Sequence, residues 1–212
     1  MSKVRAITAL TVALLAAPPT AGQTARFDRF RYAGHSLEQA QPRRGEYLNP
    51  IVAGYYPDPS VTRVGDDYYL VHSSFANFPG IPIFRSRDLI NWVQIGNAID
   101  RPGQLDFTGR GTSQAVFAPG ISYHAGVFYI VNTCVASKGN FDITARDPGG
   151  PWSDPIWLPF EGIDPSIYWE GDRAYIVNNR APNEPPRYDG HRAIWVQEFD
   201  WRGRHFRQGE WV

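Results

Sequence analysis

The chain has one cysteine, no excess of either charge, and no long apolar run after its first 25 residues. With only Cys134, no intramolecular disulfide can form. A chain of 212 residues can hold together without one if its apolar core is large, and 42% hydrophobic residues allow that. Cys134 lies in the apolar stretch 131–136, where a lone thiol reads as a small buried hydrophobe rather than a nucleophile. Lys plus Arg number 21, as do Asp plus Glu, so there is no basic surplus to attract nucleic acid. The histidines His35, His72, His124, His191 and His205 are scattered without the spacing of a metal site, and no metal or cofactor is expected. No helical period of useful length is present.

Aromatic residues make up 14% of the chain, and there are 20 glycines and 18 prolines. That composition favours turn-rich β structure. The N-terminus differs from the rest. Lys3 and Arg5 precede an apolar run from Ala6 to Ala17, which Pro18 and Pro19 break before small residues up to Ala25. A run of about a dozen residues suits a secretory signal and is too short to span a bilayer. Residues 1–25 are therefore expected to be an export signal, which places the mature protein outside the cytoplasm and off the membrane. Residues 26–44, rich in Arg, Gln and Ala, read as a lead-in, and the domain begins near Gly45.

A thirteen-residue pattern occurs three times: Pro59-Ser60-Val61 to Tyr69-Leu70-Val71, Pro119-Gly120-Ile121 to Tyr129-Ile130-Val131, and Pro165-Ser166-Ile167 to Tyr175-Ile176-Val177. Each copy runs from Pro, a small residue and a β-branched residue through a polar turn to Tyr and two aliphatics, which signals a hairpin. A third β-prone run follows in each unit, at Ile81 to Arg85, Asn140 to Ala145 and Ile194 to Phe199. A fourth closes it, at Trp92 to Ile95, Pro155 to Leu158 and Phe206 to Val212. Four short strands over roughly 45–60 residues is the size of a propeller blade. The expected blades span about 55–100, 117–160 and 163–212. Propellers close with about four to eight blades, so three imply the front part of a longer protein or a shortened reading frame.

Two copies carry an aspartate before the proline, Asp58 and Asp164. Proline biases the preceding residue towards extended backbone, and both aspartates are expected to have it. At the start of a blade's innermost strand they would face each other across the mouth of the central channel. Paired carboxylates in a cleft suit glycoside hydrolysis, in which an ionised group activates water and a protonated group donates to the leaving oxygen. Asp and Pro are also common turn starters, but the recurrence at one blade position favours a functional role. Most of the seven tryptophans are expected between blades, with one or two left for a sugar.

Several ordered motifs resemble glycoside hydrolase family 43, in its β-xylosidase and α-L-arabinofuranosidase branches. They are Tyr55-Tyr56-Pro57-Asp58-Pro59-Ser60, Val64-Gly65-Asp66-Asp67-Tyr68-Tyr69, Ser73-Ser74-Phe75, Phe78-Pro79-Gly80, Ser86-Arg87-Asp88-Leu89, Phe117-Ala118-Pro119, Gly150-Pro151-Trp152-Ser153 and Gly162-Ile163-Asp164-Pro165-Ser166. The resemblance covers about Asn49 to Phe199. It implies a five-bladed β-propeller, of which about three N-terminal blades are present, and hydrolysis with inversion at the anomeric carbon. By it Asp58 matches the general base, and Asp164 the aspartate that orients the general acid and raises its pKa. Phe75 and Phe117 match aromatic positions of the sugar pocket, and the loop 103–111 a part of its rim. The general acid of the family is a Glu in a Glu-Gly-Pro motif, which this sequence does not contain. Glu161, Glu184, Glu198 and Glu210 are poorly placed to replace it. The implied partner is a xylan-derived oligosaccharide or an arabinose side chain. The alternative is a carbohydrate-binding propeller without hydrolysis, or an inactive fragment. Arg146-Asp147-Pro148 also resembles a motif of β-fructosidases, but Arg146-Asp147 repeats Arg87-Asp88 and reads as strand-end punctuation.

Overall fold

The computed structural model describes residues 42–206. The expected export signal, nearly all of the lead-in and the chain from 207 onward lie outside the described residues. Among the described residues there is no helix. The first sheet is an antiparallel meander of β1 (Ser60–Val64), β2 (Asp67–Val71), β3 (Gly80–Ser86) and β4 (Val93–Ile99). The second holds β5 (Ala115–Val116), β6 (Gly120–His124), β7 (Val127–Val135), β8 (Gly139–Ala145) and β9 (Ile156–Trp157), with β5 and β6 both paired to β7. The third is again a meander, of β10 (Ile163–Glu170), β11 (Arg173–Arg180), β12 (Ala193–Asp200) and β13 (His205–Phe206). These are three propeller blades side by side. Strand β5 was not anticipated, because two residues give no alternation to read.

The repeat sets the register. Ser60 pairs with Val71, Gly120 with Val131 and Ser166 with Val177, the same two positions of each copy. Two-residue turns close all three hairpins: Gly65-Asp66, Ala125-Gly126 and Gly171-Asp172. Positive φ at Gly65, Ala125, Gly126 and Gly171 matches the primed turns that suit strand twist.

Packing follows from strand alternation. Along β7, Phe128 and Ile130 face a core shared with Val71, Ile83 and Ile99 of the first sheet. Their neighbours Tyr129 and Val131 face a core shared with Ile167, Ile176 and Phe199 of the third. The middle sheet is thus covered on both sides, which explains why β7 reads as a nearly continuous apolar run. Each such buried aliphatic contributes about 1.5–3 kcal/mol. Strands β1, β10 and β11 of the outer sheets alternate instead, and Val61, at 51% exposure, and Ile194, at 70%, lie open among the described residues. A buried ion pair ties the second sheet to the third. Arg204 donates from Nε to Asp142 Oδ2 at 2.8 Å and from its terminal nitrogen to the Asp142 carbonyl at 3.0 Å.

The three first strands meet at the hub. The Ile121 amide donates to Ser60 Oγ at 3.1 Å, which binds the start of β6 to the start of β1. On its other side β6 presses on β10: a Cβ added at Gly120 would lie 2.5 Å from the Pro165 carbonyl oxygen. Only a residue without a side chain lets the two strands approach this closely. The entries to β1, β6 and β10 therefore lie together at one end of the hub.

Candidate active site

Asp58 and Asp164 stand at two of these entries, each just before its proline, and both are exposed. The backbone expectation for them is corrected. Asp58 has φ 55° and Asp164 φ 56°, in the left-handed region rather than extended. Aspartate is among the few residues that tolerate that region, and it is held there by bonds from the neighbouring strand. For Asp58 the holder is Ser73. The Ser73 amide donates to the Pro57 carbonyl at 3.1 Å, and its hydroxyl donates to Asp58 Oδ2 at 2.6 Å. For Asp164 it is Asn179, whose Nδ2 donates to Asp164 Oδ2 at 3.0 Å. Ser73 and Asn179 occupy the same repeat position, two beyond Val71 and Val177. Thr133 is their counterpart in the second blade; that blade has no aspartate at its entry, and Thr133 donates to Asn140 Oδ1 at 2.5 Å instead.

One position earlier stand His72, Asn132 and Asn178, all buried. Asn132 donates to the Phe117 carbonyl at 2.6 Å and Asn178 to the Glu161 carbonyl at 2.7 Å, so each pins the segment leading into its blade. His72 lies against Tyr56, with ring centroids 5.3 Å apart. Burial holds its imidazole below the usual value, although the Pro57 and Tyr56 carbonyls and Asp58 pull the other way. The Ser73 and Asn179 holders were missed from sequence. Reading the repeat two residues further would have found them.

Phe75 and Phe117, from different blades, come together. Phe75 and Val116 exchange backbone hydrogen bonds of 2.8 and 3.2 Å, and the Phe75 and Phe117 rings meet edge to face at 5.5 Å. Tyr55 stacks on Phe75 at 5.9 Å and is 70% exposed, adding an aromatic face that was not singled out as a site residue. Phe75 follows Ser73 by two residues, so this aromatic group borders the Asp58 entry. The Tyr55 side opens into a hollow of about 470 Å³ lined by Tyr56, Ser73, Asn77 and Gln94; neither aspartate lines it. The loop 103–111 reaches the first blade through Phe107, whose ring lies 6.2 Å from that of Phe78, and no residue of the loop lines that hollow.

The remaining candidates fall elsewhere. Glu184 pairs with Arg187 at 3.7 Å and Glu198 with Arg173 at 3.2 Å, while Glu161 is exposed and Glu210 lies outside the described residues. The Asp88 carboxyl is held far below the usual range by the Asn91 amide, the Asn91 side chain and the Ile90 amide, so it caps a turn. Asp147 likewise accepts from the Gly149 amide at 2.8 Å, which makes both Arg-Asp pairs structural. Burial pushes the Cys134 thiol up and leaves it a core residue.

Three antiparallel blades meeting at a hub, two of four strands and the middle one of five, with carboxylates and aromatic rings at one end, define part of a β-propeller with a candidate site near its axis. The model of the glycosyl hydrolases family 43 matches residues 47–210, and the chain belongs to that family. A xylosidase/arabinosidase of Butyrivibrio fibrisolvens is 50% identical over 156 residues, covering 72% of this chain and 30% of that protein. A non-reducing end α-L-arabinofuranosidase of Bacteroides ovatus is 43% identical over 136 residues, covering 62% and 26%. The crystal structure of a GH43_12 protein retrieved from a capybara gut metagenome superimposes with a TM-score of 0.77 at 46% identity, over 82% of this chain and 33% of that one. The chain thus spans about 30% of the length of the curated relatives it matches.

Proposed function

We propose that the protein carrying this chain is an exported, inverting, exo-acting glycosidase of xylan-derived oligosaccharides or arabinose side chains. The carrying observation is that Asp58 is held by Ser73 at the hub entry, beside Phe75 and Phe117 and at the same end as Asp164. Family membership and the names of the relatives support the sugar and the reaction class.

In this mechanism Asp58 takes a proton from a water molecule. The water oxygen bonds to the anomeric carbon on the face opposite the leaving group, as the bond to the glycosidic oxygen breaks. A glutamic acid protonates that oxygen, and Asp164 orients the acid and keeps it protonated. Glu184 and Glu198 pair with arginines away from the hub entries, and Glu161, two residues before β10, lacks the Gly-Pro that follows the family's acid, so the acid is proposed to come from a part of the longer protein that this chain does not include. Phe75, Phe117 and Tyr55 supply an apolar wall for the sugar ring. The first 25 residues are proposed to direct export.

The test is hydrolysis of 4-nitrophenyl β-D-xylopyranoside and α-L-arabinofuranoside, with the first-formed anomer followed by proton NMR. Inverted product supports the proposal, and the faster substrate names the sugar. Retained configuration overturns the assignment of Asp58 as a base. Sugar binding without turnover favours a carbohydrate-binding propeller.

A further inference from the structure

Asp164 is held by a relay that reaches into the loop between β11 and β12. The segment leading to it is stitched along β11. Asn178 donates to the Glu161 carbonyl at 2.7 Å, and Asn179 Nδ2 reaches both the Ile163 carbonyl, at 3.3 Å, and Asp164 Oδ2, at 3.0 Å. Gly162 makes the contact possible, since a Cβ there would lie 2.3 Å from the Asn179 carbonyl oxygen. The Asn179 amide is then fixed from its other end. Arg192 donates from Nε to Asn179 Oδ1 at 2.9 Å and from its terminal nitrogen to the Asn179 carbonyl at 3.1 Å.

Chemistry makes this arrangement directional. A guanidinium only donates, so the amide oxygen of Asn179 must face Arg192 and the amide NH2 must face the carboxylate. A carboxylate only accepts, so the two ends cannot exchange without losing both bonds. On Asp58 the equivalent holder is a serine hydroxyl, which has no orientation to fix. We propose that Asn179 and Arg192 are positioning residues for Asp164: Arg192 orients the amide, and the amide holds Oδ2 at the angle from which Asp164 acts on the proton donor. This rests on the role proposed above for Asp164.

A holder of the acid's partner matters most when the leaving group needs a proton. An aryl glycoside expels an acidic phenol that needs little help, whereas a disaccharide expels an alkoxide that needs the acid fully. The experiment measures kcat and KM for Asn179→Ala, Arg192→Ala and Asp164→Ala in the enzyme carrying this chain. The substrates are the 4-nitrophenyl glycoside and the disaccharide of the sugar it accepts. The first two variants are expected to lower kcat on the disaccharide about tenfold to a hundredfold, the worth of one charge-assisted hydrogen bond. The expected change on the aryl glycoside is under about threefold, with KM unchanged. Adding Asn179→Ala to Asp164→Ala should cost nothing further. Asn179→Asp guards against misfolding: it is isosteric and keeps the bonds to Arg192, but when ionised it cannot donate to Asp164 and repels that carboxylate, so above the carboxylate range it should share the disaccharide defect. Equal losses on both substrates, or additive losses in the double variant, overturn the relay. If Asp164→Ala itself shows no dependence on the leaving group, the role of Asp164 falls first. If it shows that dependence and Asn179→Ala does not, only the relay falls.

Discussion

Replacing Gly120 by alanine tests whether the blade entries are fixed by close contact at the hub. The new methyl carbon would lie 2.5 Å from the Pro165 carbonyl oxygen and 3.0 Å from Ser166 Cα. Unstrained C···O contacts sit near about 3.3 Å, so the strands must part by roughly 0.8 Å. The obstacle is backbone and cannot rotate away. Gly120 has no positive φ, so alanine would also gain about 0.4–1 kcal/mol by restricting the unfolded chain. Overpacking costs about 1–3 kcal/mol, and the steric term wins. A net loss of about 1–2 kcal/mol lowers Tm by roughly 2–8 °C for a unit of this size. Pro165 follows Asp164, so the same displacement moves a carboxylate, and a misplacement of about 1 Å can cost about a hundredfold in rate. Calorimetry and kcat on the enzyme carrying this chain read both effects. Gly111→Ala is the control for the stability effect alone, because its nearest neighbour is the flexible Gln114 side chain at 3.7 Å. If Gly120→Ala melts at or above the wild-type temperature with wild-type turnover, the blade entries are not held by this contact.

Two further expectations concern buried charge. His72 has a depressed pKa in the fold and an ordinary one, near about 6.5, in the unfolded chain, so the unfolded chain binds more protons below that value. Stability should therefore be full above about pH 7 and fall as the pH drops through about 6.5, by up to about 1.4 kcal/mol per unit. His72→Asn, which copies Asn132 and Asn178, should flatten that part of the profile in urea titrations at pH 8, 6 and 5; parallel profiles would contradict it. Arg204→Ala leaves Asp142 buried and unpaired, and should cost about 3–5 kcal/mol in the same titrations. A loss below about 1 kcal/mol would show that the pair does not tie the second blade to the third.

The hub was the most legible part of the molecule, for a physical reason. Each copy of the repeat contains a complete hairpin, so pattern, turn and register all specify one geometry, and Ser60, Gly120 and Ser166 landed at equivalent positions. The outer strands were harder, since β9 and β13 are two residues each and carry no period. The left-handed Asp58 and Asp164 went against the usual effect of a following proline, because bonds from Ser73 and Asn179 outweigh a local preference. The meeting of Phe75 with Phe117 depends on a two-residue bridge between blades that no local pattern announces. Arg192 was invisible for a similar reason: it ends the loop after β11, and nothing periodic in that loop points back to its partner Asn179 on β11.

Asp58→Ala in the enzyme carrying this chain is the most direct test, with turnover and sugar affinity measured on the same preparation. The account predicts that kcat falls by at least about a hundredfold, the usual share of general base catalysis, while the dissociation constant for the sugar stays nearly unchanged. Turnover within about tenfold of the wild type would contradict the assignment of Asp58 as the group that activates water.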